Sequence, residues 1–239
     1  MIDTNIYLHR WPFRRLPGDD PVRLMEKLRG AGVTQAWAGS FEAPLADDLS
    51  DVNARLAADC RRFGAGVLLP FGCVNPALAD WREDLRRCAE DHKMRGIRLH
   101  PNYHGYALAD AAFRDLLAAA TERHMLVQIA VQMQDERTQH PLVRVKPVEI
   151  AALPKLPGAR VQLLNAGRPA PAGIATDFAM VEGVHGLRDL AGALPGRVMF
   201  GSYYPCFYFE AAVLKLKESG IDRKPIETEN ALRLLEAAR

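Results

Sequence analysis

Short apolar runs alternate with amphipathic stretches from one end of the chain to the other. The apolar runs predict eight strands, at residues 2–7, 33–38, 66–74, 96–100, 126–131, 160–164, 177–181 and 197–200. The stretches between and after them predict helices at residues 21–29, 48–63, 78–92, 109–123, 148–153, 184–194, 207–219 and 226–238. Alternating strands and helices indicate parallel strands joined by right-handed crossover connections.

The number of strands and the chain length together favour a barrel. A (β/α)8 barrel typically needs about 250 residues, and this chain has 239. The main rival is a doubly wound open sheet. No G-x-G-x-x-G or Walker-type phosphate loop occurs, which weakens the nucleotide-binding version of that rival. Without a linker, a repeat or a low-complexity tract, residues 1–239 are predicted to form one α/β domain, a TIM-like (β/α)8 barrel.

Composition excludes several classes of partner. Lys and Arg number 31 against 29 Asp and Glu, a net charge of +2, so there is no general electrostatic attraction to nucleic acid. No apolar run reaches the ~18 residues of a membrane helix, and the amino-terminal residues do not resemble a signal peptide. The four cysteines form no C-x-x-C pair, which favours reduced thiols and a cytoplasmic location.

Polar residues stand where the predicted strands end, which is where barrel enzymes place their chemistry. Period-two alternation puts Asp3, Asn5 and Tyr7 on one face of the first strand, and Arg98 and His100 on one face of the fourth. Later strands contribute Gln128, Ala130, Gln132, Asn165, Ser202, Tyr203 and Tyr204. Such a set predicts a hydrogen-bonding pocket for a polar or anionic small molecule.

Two of these residues suggest specific roles. His100 is the only imidazole on a predicted strand end, and it is the best candidate for a general acid or base. The alternative is a structural histidine in the core whose ring bonds to a backbone carbonyl. An inward Arg98 needs an anionic partner or full hydrogen bonding. That partner is either a substrate carboxylate or Asp3.

Two segments near the predicted strand ends are also candidates. Residues 132–140 are dense in polar groups, among which Arg137 and His140 are predicted ligand-binding residues. Residues 9–15 interleave aromatic side chains with arginines, including Arg14. The second segment fits a substrate-binding loop, an interface patch or an aromatic lid with solvated arginines.

Five motifs in order along the chain carry a resemblance to a known family. They are DTNIY at 3–7, GIRLHP at 96–101, LLNAG at 163–167, FGSYYP at 200–205 and NALRLL at 230–235. Together they resemble the amidohydrolase-related (amidohydrolase 2) family of metal-dependent hydrolases. That family includes lactonases and metal-dependent decarboxylases of small carboxylated compounds, and the resemblance implies a (β/α)8-type barrel.

The metal-binding pattern of that family is not matched. Its first strand reads Asp-x-His-x-His, but Asn5 and Tyr7 stand at the histidine positions here. The resemblance places Ala130, Asn165 and Tyr203 at the family's other metal or base positions. Amides, phenols and a methyl group are poor zinc ligands. We therefore expect no metal and no cofactor.

Three interpretations stay open. The first is a metal-independent hydrolase of a small carboxylated or lactone substrate. Arg98 with Arg137 or Arg14 would grip a carboxylate, and His140 lies on the same binding segment. His100 or Asp3 would act as acid or base. Asn5, Asn165 and Tyr203 would orient the substrate or stabilise an oxyanion.

The second interpretation is an inactive barrel that binds a ligand or a protein partner. The third rebuilds a metal site from His9, His100, His104 or His140. His100 and His104 have i, i+4 spacing, but Pro101 argues against a helix between them. Exposed aromatic residues near Trp11 and residues 207–209 leave room for a homodimer.

Overall fold

Eight parallel strands form one sheet in chain order in the computed structural model, which describes residues 1–134, 139–140, 142, 144–167, 170–183 and 185–236. The strands are β1 (Ile2–Leu8), β2 (Gln35–Ser40), β3 (Leu68–Gly72), β4 (Gly96–Leu99), β5 (Leu126–Ala130), β6 (Val161–Leu164), β7 (Ala175–Asp177) and β8 (Val198–Met199). The strand order never reverses, so the doubly wound alternative is wrong and the predicted barrel is confirmed.

The barrel is nearly closed by hydrogen bonds between β1 and the chain that follows β8. The Thr4 N–H donates to the Phe200 carbonyl at 2.9 Å, and the Tyr203 N–H donates to the Asn5 carbonyl at 2.8 Å. One residue further, the Tyr7 N–H donates to the Tyr204 carbonyl at 3.0 Å. Since β8 itself is only two residues long, irregular backbone provides most of this closure.

Helices follow most of the strands. They are α1 (Pro21–Gly30), α2 (Leu49–Gly64), α3 (Trp81–Arg86), α4 (Pro101–His104), α5 (Ala111–Glu122), α6 (Gly186–Ala193), α7 (Phe209–Glu218) and α8 (Asn230–Glu236). Asp20 caps α1 by accepting from the N–H groups of Val22 and Arg23. Among the described residues, no helix has the length and apolarity needed to cross a membrane.

Two local predictions were wrong. Strand seven was predicted at residues 177–181, but β7 ends at Asp177. The apolar residues after it form a buried loop in which Phe178 packs edge-on against Phe200. Pro101 was predicted to prevent a helix between His100 and His104, yet it begins α4. Proline is tolerated in a first helical turn because its missing N–H is not needed there.

The amino-terminal end of the barrel is filled with apolar side chains. Trp37 and Phe71 stack there with ring centroids 5.2 Å apart, next to Ile2. Leu234 and Leu235 of α8 cover this cluster. Polar side chains in the barrel therefore lie above this layer, toward the carboxyl ends of the strands.

Candidate active site

Arg98 lies at the centre of a lower polar layer inside the barrel. Its Nε donates to Gln128 Oε1 at 2.9 Å, and its Nη1 donates to the Ile6 carbonyl at 2.6 Å. Its Nη2 donates to the carbonyls of Trp37 at 2.9 Å and Thr4 at 3.3 Å. The guanidinium also lies 4.5 Å from the centre of the Tyr7 ring.

Three main-chain carbonyls and Gln128 thus satisfy Arg98, which is the full hydrogen bonding that we predicted as the alternative to an anionic partner. Four hydrogen bonds use most of the five N–H groups of the guanidinium. Burial lowers the pKa of Arg98. Its role in gripping a substrate carboxylate stays a prediction, and that role requires some of these bonds to break.

A second polar layer joins Asn5, Asn165 and Asp177. Asn5 Nδ2 donates to Asn165 Oδ1 at 2.8 Å and to Asp177 Oδ2 at 2.6 Å. The Asn165 N–H donates to Asp177 Oδ1 at 3.0 Å. Burial raises the pKa of Asp177 to about 6. Sequence pattern misses Asp177, because β7 has only three residues and so gives no periodicity to show that this side chain points inward.

Asn5 Oδ1 is buried without a hydrogen-bond partner among the described residues. An unsatisfied buried acceptor is costly, so this atom marks a place where a water molecule or a ligand donor would be stabilised.

Asp3 lies at the seam of the barrel. Its Oδ1 accepts the N–H groups of Asn5 and Ser202, each at 3.0 Å, and its Oδ2 accepts the Ser202 hydroxyl at 2.5 Å. Burial raises the pKa of Asp3 to about 7. The carboxyl group therefore joins β1 to the chain after β8, and its proposed acid–base role stays a prediction.

Strict alternation fails along β1. The pairing with β2 shifts between Asp3 and Ile6. As a result Thr4 and Asn5, although adjacent, both reach interior side chains, with Thr4 Oγ1 accepting from Gln162 Nε2 at 2.8 Å. Asn5 and Tyr7 both lie inside the barrel as predicted, but Thr4 joins them there, so strict alternation does not hold from Asp3 to Tyr7.

His100 is buried between Tyr7 and Cys73. The Tyr7 hydroxyl lies 3.2 Å from Nε2, and Cys73 Sγ lies 3.5 Å from Nδ1. Burial, His104 and Arg98 all lower the pKa of His100 well below its usual value, so the imidazole is neutral near pH 7. The His104 ring lies 6.0 Å away, held by a bond to the Ala43 carbonyl.

An aromatic cluster covers these layers at the carboxyl ends of the strands. Tyr7 stacks on Phe41 with ring centroids 4.6 Å apart, and Trp11 packs edge-on against Phe41. Tyr203 packs edge-on against Tyr7 and donates its hydroxyl to the Met133 carbonyl. The predicted site residues Asp3, Asn5, Arg98, His100, Asn165 and Tyr203 are all buried beneath or within this cluster.

The two candidate segments meet above this cluster. Phe13 stacks on His140 with ring centroids 5.1 Å apart, and Trp11 is buried, so the 9–15 segment forms an aromatic lid. Arg14 is exposed, with Nη2 3.9 Å from Cys206 Sγ. Arg137 lies outside the described residues.

An open cleft of about 470 Å³ lies beside the lid, at the carboxyl ends of β5 to β8. We call it the β5–β8 cleft, and its walls include Gln132, Gly167, Met180, Phe207 and Lys215. Lys215 Nζ donates to the Ala179 carbonyl at 2.7 Å, and burial lowers the pKa of this lysine.

The floor of the cleft connects to the second polar layer. Asn165 Nδ2 donates to the Gln132 carbonyl at 3.0 Å. Gly167 has a left-handed φ of 62°, and an added Cβ would approach the Met180 carbonyl to 3.3 Å. Glycine thus permits close packing of the loops that follow β6 and β7.

These residues are a poor fit to a resident catalytic metal. The second polar layer offers one carboxylate and two amides, and these are already bonded to each other. Across the part of the chain that the structure describes, no three His, Cys, Asp or Glu side chains come together in a metal-binding arrangement.

The fold and this face define a (β/α)8 barrel of the kind that carries enzyme sites at its carboxyl end. The sequence model of the amidohydrolase family matches residues 5–235, so the chain belongs to the amidohydrolase family. A search of curated protein sequences finds no match to this chain.

Solved structures confirm the fold. 2,6-Dihydroxybenzoate decarboxylase from Rhizobium is similar with a TM-score of 0.72 and 12% identity, covering 98% of this chain and 99% of that one. 5-Carboxyvanillate decarboxylase from Novosphingobium aromaticivorans, with bound manganese, has a TM-score of 0.70 and 14% identity, and the match covers 98% of this chain and 96% of that one. An uncharacterised TIM-barrel protein from Bordetella bronchiseptica has a TM-score of 0.71 and 15% identity, and the match covers 100% of this chain and 99% of that one.

Proposed function

We propose that this protein is a metal-independent hydrolase acting on a small carboxylated or lactone substrate at the carboxyl ends of the strands. One observation carries the proposal: the β5–β8 cleft opens at that face and has the Lys215 amine in its wall. Its volume of about 470 Å³ suits a small molecule. The structural neighbours named as decarboxylases of dihydroxybenzoate and carboxyvanillate support a carboxylated ligand.

Lys215 is suited to bind the carboxylate. A lysine ammonium has three N–H donors, and among the described residues one of these is used by the Ala179 carbonyl. A bound carboxylate would favour the charged form and offset the effect of burial on the lysine pKa. Phe207 and Met180 supply apolar surface for the rest of the ligand.

A lactone is the substrate class that suits hydrolysis without a metal, because its ester carbonyl is already activated toward attack by water. In this proposal Asn165 connects the cleft to the interior, because it bonds to Gln132 in the cleft wall and also to Asn5 and Asp177. The acid–base roles of His100 and Asp3 then require movement of the aromatic cluster that covers them.

The second candidate function is an inactive barrel that binds a ligand or protein. The specific observation favouring it is that Arg98, Asn5 and Asp177 bond mainly within the barrel, beneath buried aromatic side chains. Such a network stabilises the barrel without any ligand.

Ligand-induced stabilisation and product formation test the two candidate functions. The protein, treated with a chelator, is titrated with 2,6-dihydroxybenzoate and with δ-valerolactone, and Tm and released acid are measured. We expect the carboxylate to raise Tm of the wild type and of Lys217→Gln, which alters an exposed lysine on the same helix, but not of Lys215→Gln. Acid release from the lactone supports the hydrolase. Binding without turnover supports the second candidate, and no binding by the wild type contradicts the cleft assignment.

A further inference from the structure

Ser40, His9 and Asp59 form a hydrogen-bonded relay at the carboxyl ends of β1 and β2. Ser40 Oγ lies 2.7 Å from His9 Nδ1, and His9 Nε2 lies 3.1 Å from Asp59 Oδ2. We propose that this relay is a second catalytic site, in which Ser40 is the nucleophile for small acyl esters. The site is separate from the β5–β8 cleft and does not rest on the function proposed for that cleft.

The hydrogen bonds fix the direction of proton transfer. The Asp59 carboxylate can only accept, so it selects the imidazole tautomer with a proton on Nε2. Nδ1 is then an acceptor for the Ser40 hydroxyl. An imidazole that accepts from serine and is oriented by a carboxylate is the arrangement that activates a serine nucleophile. Here the two ring nitrogens exchange the roles they have in serine proteases.

Neighbouring groups stabilise the charges that this transfer creates. The Glu42 N–H donates to Ser40 Oγ at 3.1 Å, which favours negative charge on that oxygen. The Glu42 carboxylate lies 4.0 Å from His9 Nδ1, so an imidazolium would face carboxylates on both sides. Arg55 holds Glu42 in place through a 2.8 Å bond from Nη2.

The backbone of His9 supplies an independent indication. His9 has a φ of 67°, in the left-handed region that a side chain with a Cβ rarely occupies. Such conformations cost free energy and concentrate at functional sites. This conformation belongs to the residue that directly follows β1 and carries the central imidazole of the relay.

Access limits the substrate class. The side chains of His9 and Asp59 are 10% and 28% exposed, whereas Ser40 is 2% exposed. The relay therefore opens to solvent at its His9–Asp59 edge. We therefore assign to the relay esters of a small acyl group, such as acetyl, which would approach Ser40 from that edge.

The reaction balances without an oxidant or a metal. Ser40 Oγ bonds to the ester carbonyl carbon, and its proton passes to His9 Nδ1. The bond from that carbon to the alcohol oxygen breaks, and the proton moves to the leaving oxygen. Water then attacks the acyl-serine and restores the Ser40 hydroxyl. The sum is ester plus water giving acid plus alcohol.

A small fluorophosphonate tests the nucleophile directly. Its phosphorus bonds to the serine oxygen as the bond to fluorine breaks and fluoride leaves, and peptide mass spectrometry locates the adduct. Ser50 is an internal control, since it is more exposed than Ser40 but contacts Arg87 and no imidazole. We expect an adduct on Ser40 and none on Ser50.

Variants separate catalysis from structure. We expect His9→Gln to slow labelling of Ser40 about 100-fold, with circular dichroism showing a retained fold. Asp59→Asn, at the more exposed end of the relay, should slow labelling while being easier to fold, and it carries the test if His9→Gln does not fold. An unlabelled Ser40, or equal labelling in a folded variant, overturns the proposal. Ligand binding in the β5–β8 cleft should be unchanged in both variants.

Discussion

Asp3 and Ser202 join the first strand of the barrel to the chain that follows the last one. The carboxyl group of Asp3 accepts both the N–H and the hydroxyl of Ser202, at 3.0 and 2.5 Å. Burial raises the pKa of Asp3 from 3.8 to about 7. Proton binding at this seam is therefore linked to folding, because the folded chain holds the proton more tightly than the unfolded chain.

Replacing Asp3 should change how stability depends on pH. Between pH 4 and pH 7 the folded state binds more protons at Asp3 than the unfolded state, so the contribution of Asp3 to the free energy of unfolding falls as pH rises. The free energy of unfolding of Asp3→Asn minus that of the wild type should therefore increase from pH 4 to pH 7, by an amount on the order of a few kcal/mol. Urea denaturation at several pH values measures the difference.

His100 and His104 titrate with the opposite sign, since their pKa values are lowered in the folded state. Only the difference between the variant and the wild type therefore isolates Asp3. Asp47→Asn, at an exposed position, is the matched control and should show no such trend. A difference between Asp3→Asn and the wild type that stays constant with pH would contradict the linkage.

Arg98 should be essential to the barrel. Arg98→Met removes the donors for three main-chain carbonyls and Gln128, and we expect a loss of at least about 3 kcal/mol in the free energy of unfolding. The exposed Arg61→Met should change it by less than about 0.5 kcal/mol. Similar stability of the two variants in chemical denaturation would mean that these bonds contribute little.

Gly39 makes room for the Arg98 side chain. A Cβ at Gly39 would lie 2.8 Å from both Cδ and Nη1 of Arg98, which hydrogen bonds hold in place. We expect Gly39→Ala to cost about 1–3 kcal/mol through this overlap. Gly30→Ala, at the end of α1 with no atom within 4 Å of the added Cβ, should be neutral or stabilising. Thermal melts compare them, and equal Tm values would show that Arg98 moves aside without penalty.

The acid–base role predicted for His100 has a direct test. His100→Gln keeps a polar group near Tyr7 and Cys73. If His100 moves a proton in turnover of a lactone, kcat should fall about 100-fold while Tm stays near that of the wild type. An unchanged kcat with a lower Tm would assign His100 to the hydrogen-bonded interior alone.

Local pattern predicted much of the fold. Strand and helix periodicity located β1, β4, β5 and β6 to within about two residues, because buried strands and amphipathic helices impose different apolar spacings. The position of β7 was missed since a buried loop is as apolar as a strand. The prediction at Pro101 was wrong because the effect of a proline depends on whether it begins a helix or interrupts one, and Pro101 begins α4.

The candidate sites were only partly predictable. Asn5, Arg98, Gln128 and Asn165 could be found from their places at strand ends, whereas Thr4, Gln162 and Asp177, which also bond inside the barrel, were missed. Ser40 and Asp59 lie 31 and 50 residues from His9, and nothing in their local sequence marks them as partners.

By itself, then, the sequence determined the alternation of strands and helices, the barrel and the polar character of its interior. Only the tertiary structure decided which polar groups bond to one another. The irregular pairing of β1 with β2 turns Thr4 and Asn5 inward together, and barrel closure brings Asp3 against Ser202. Hydrogen bonds depend on distances of a few tenths of an ångström, which arise from packing the whole barrel and not from local sequence.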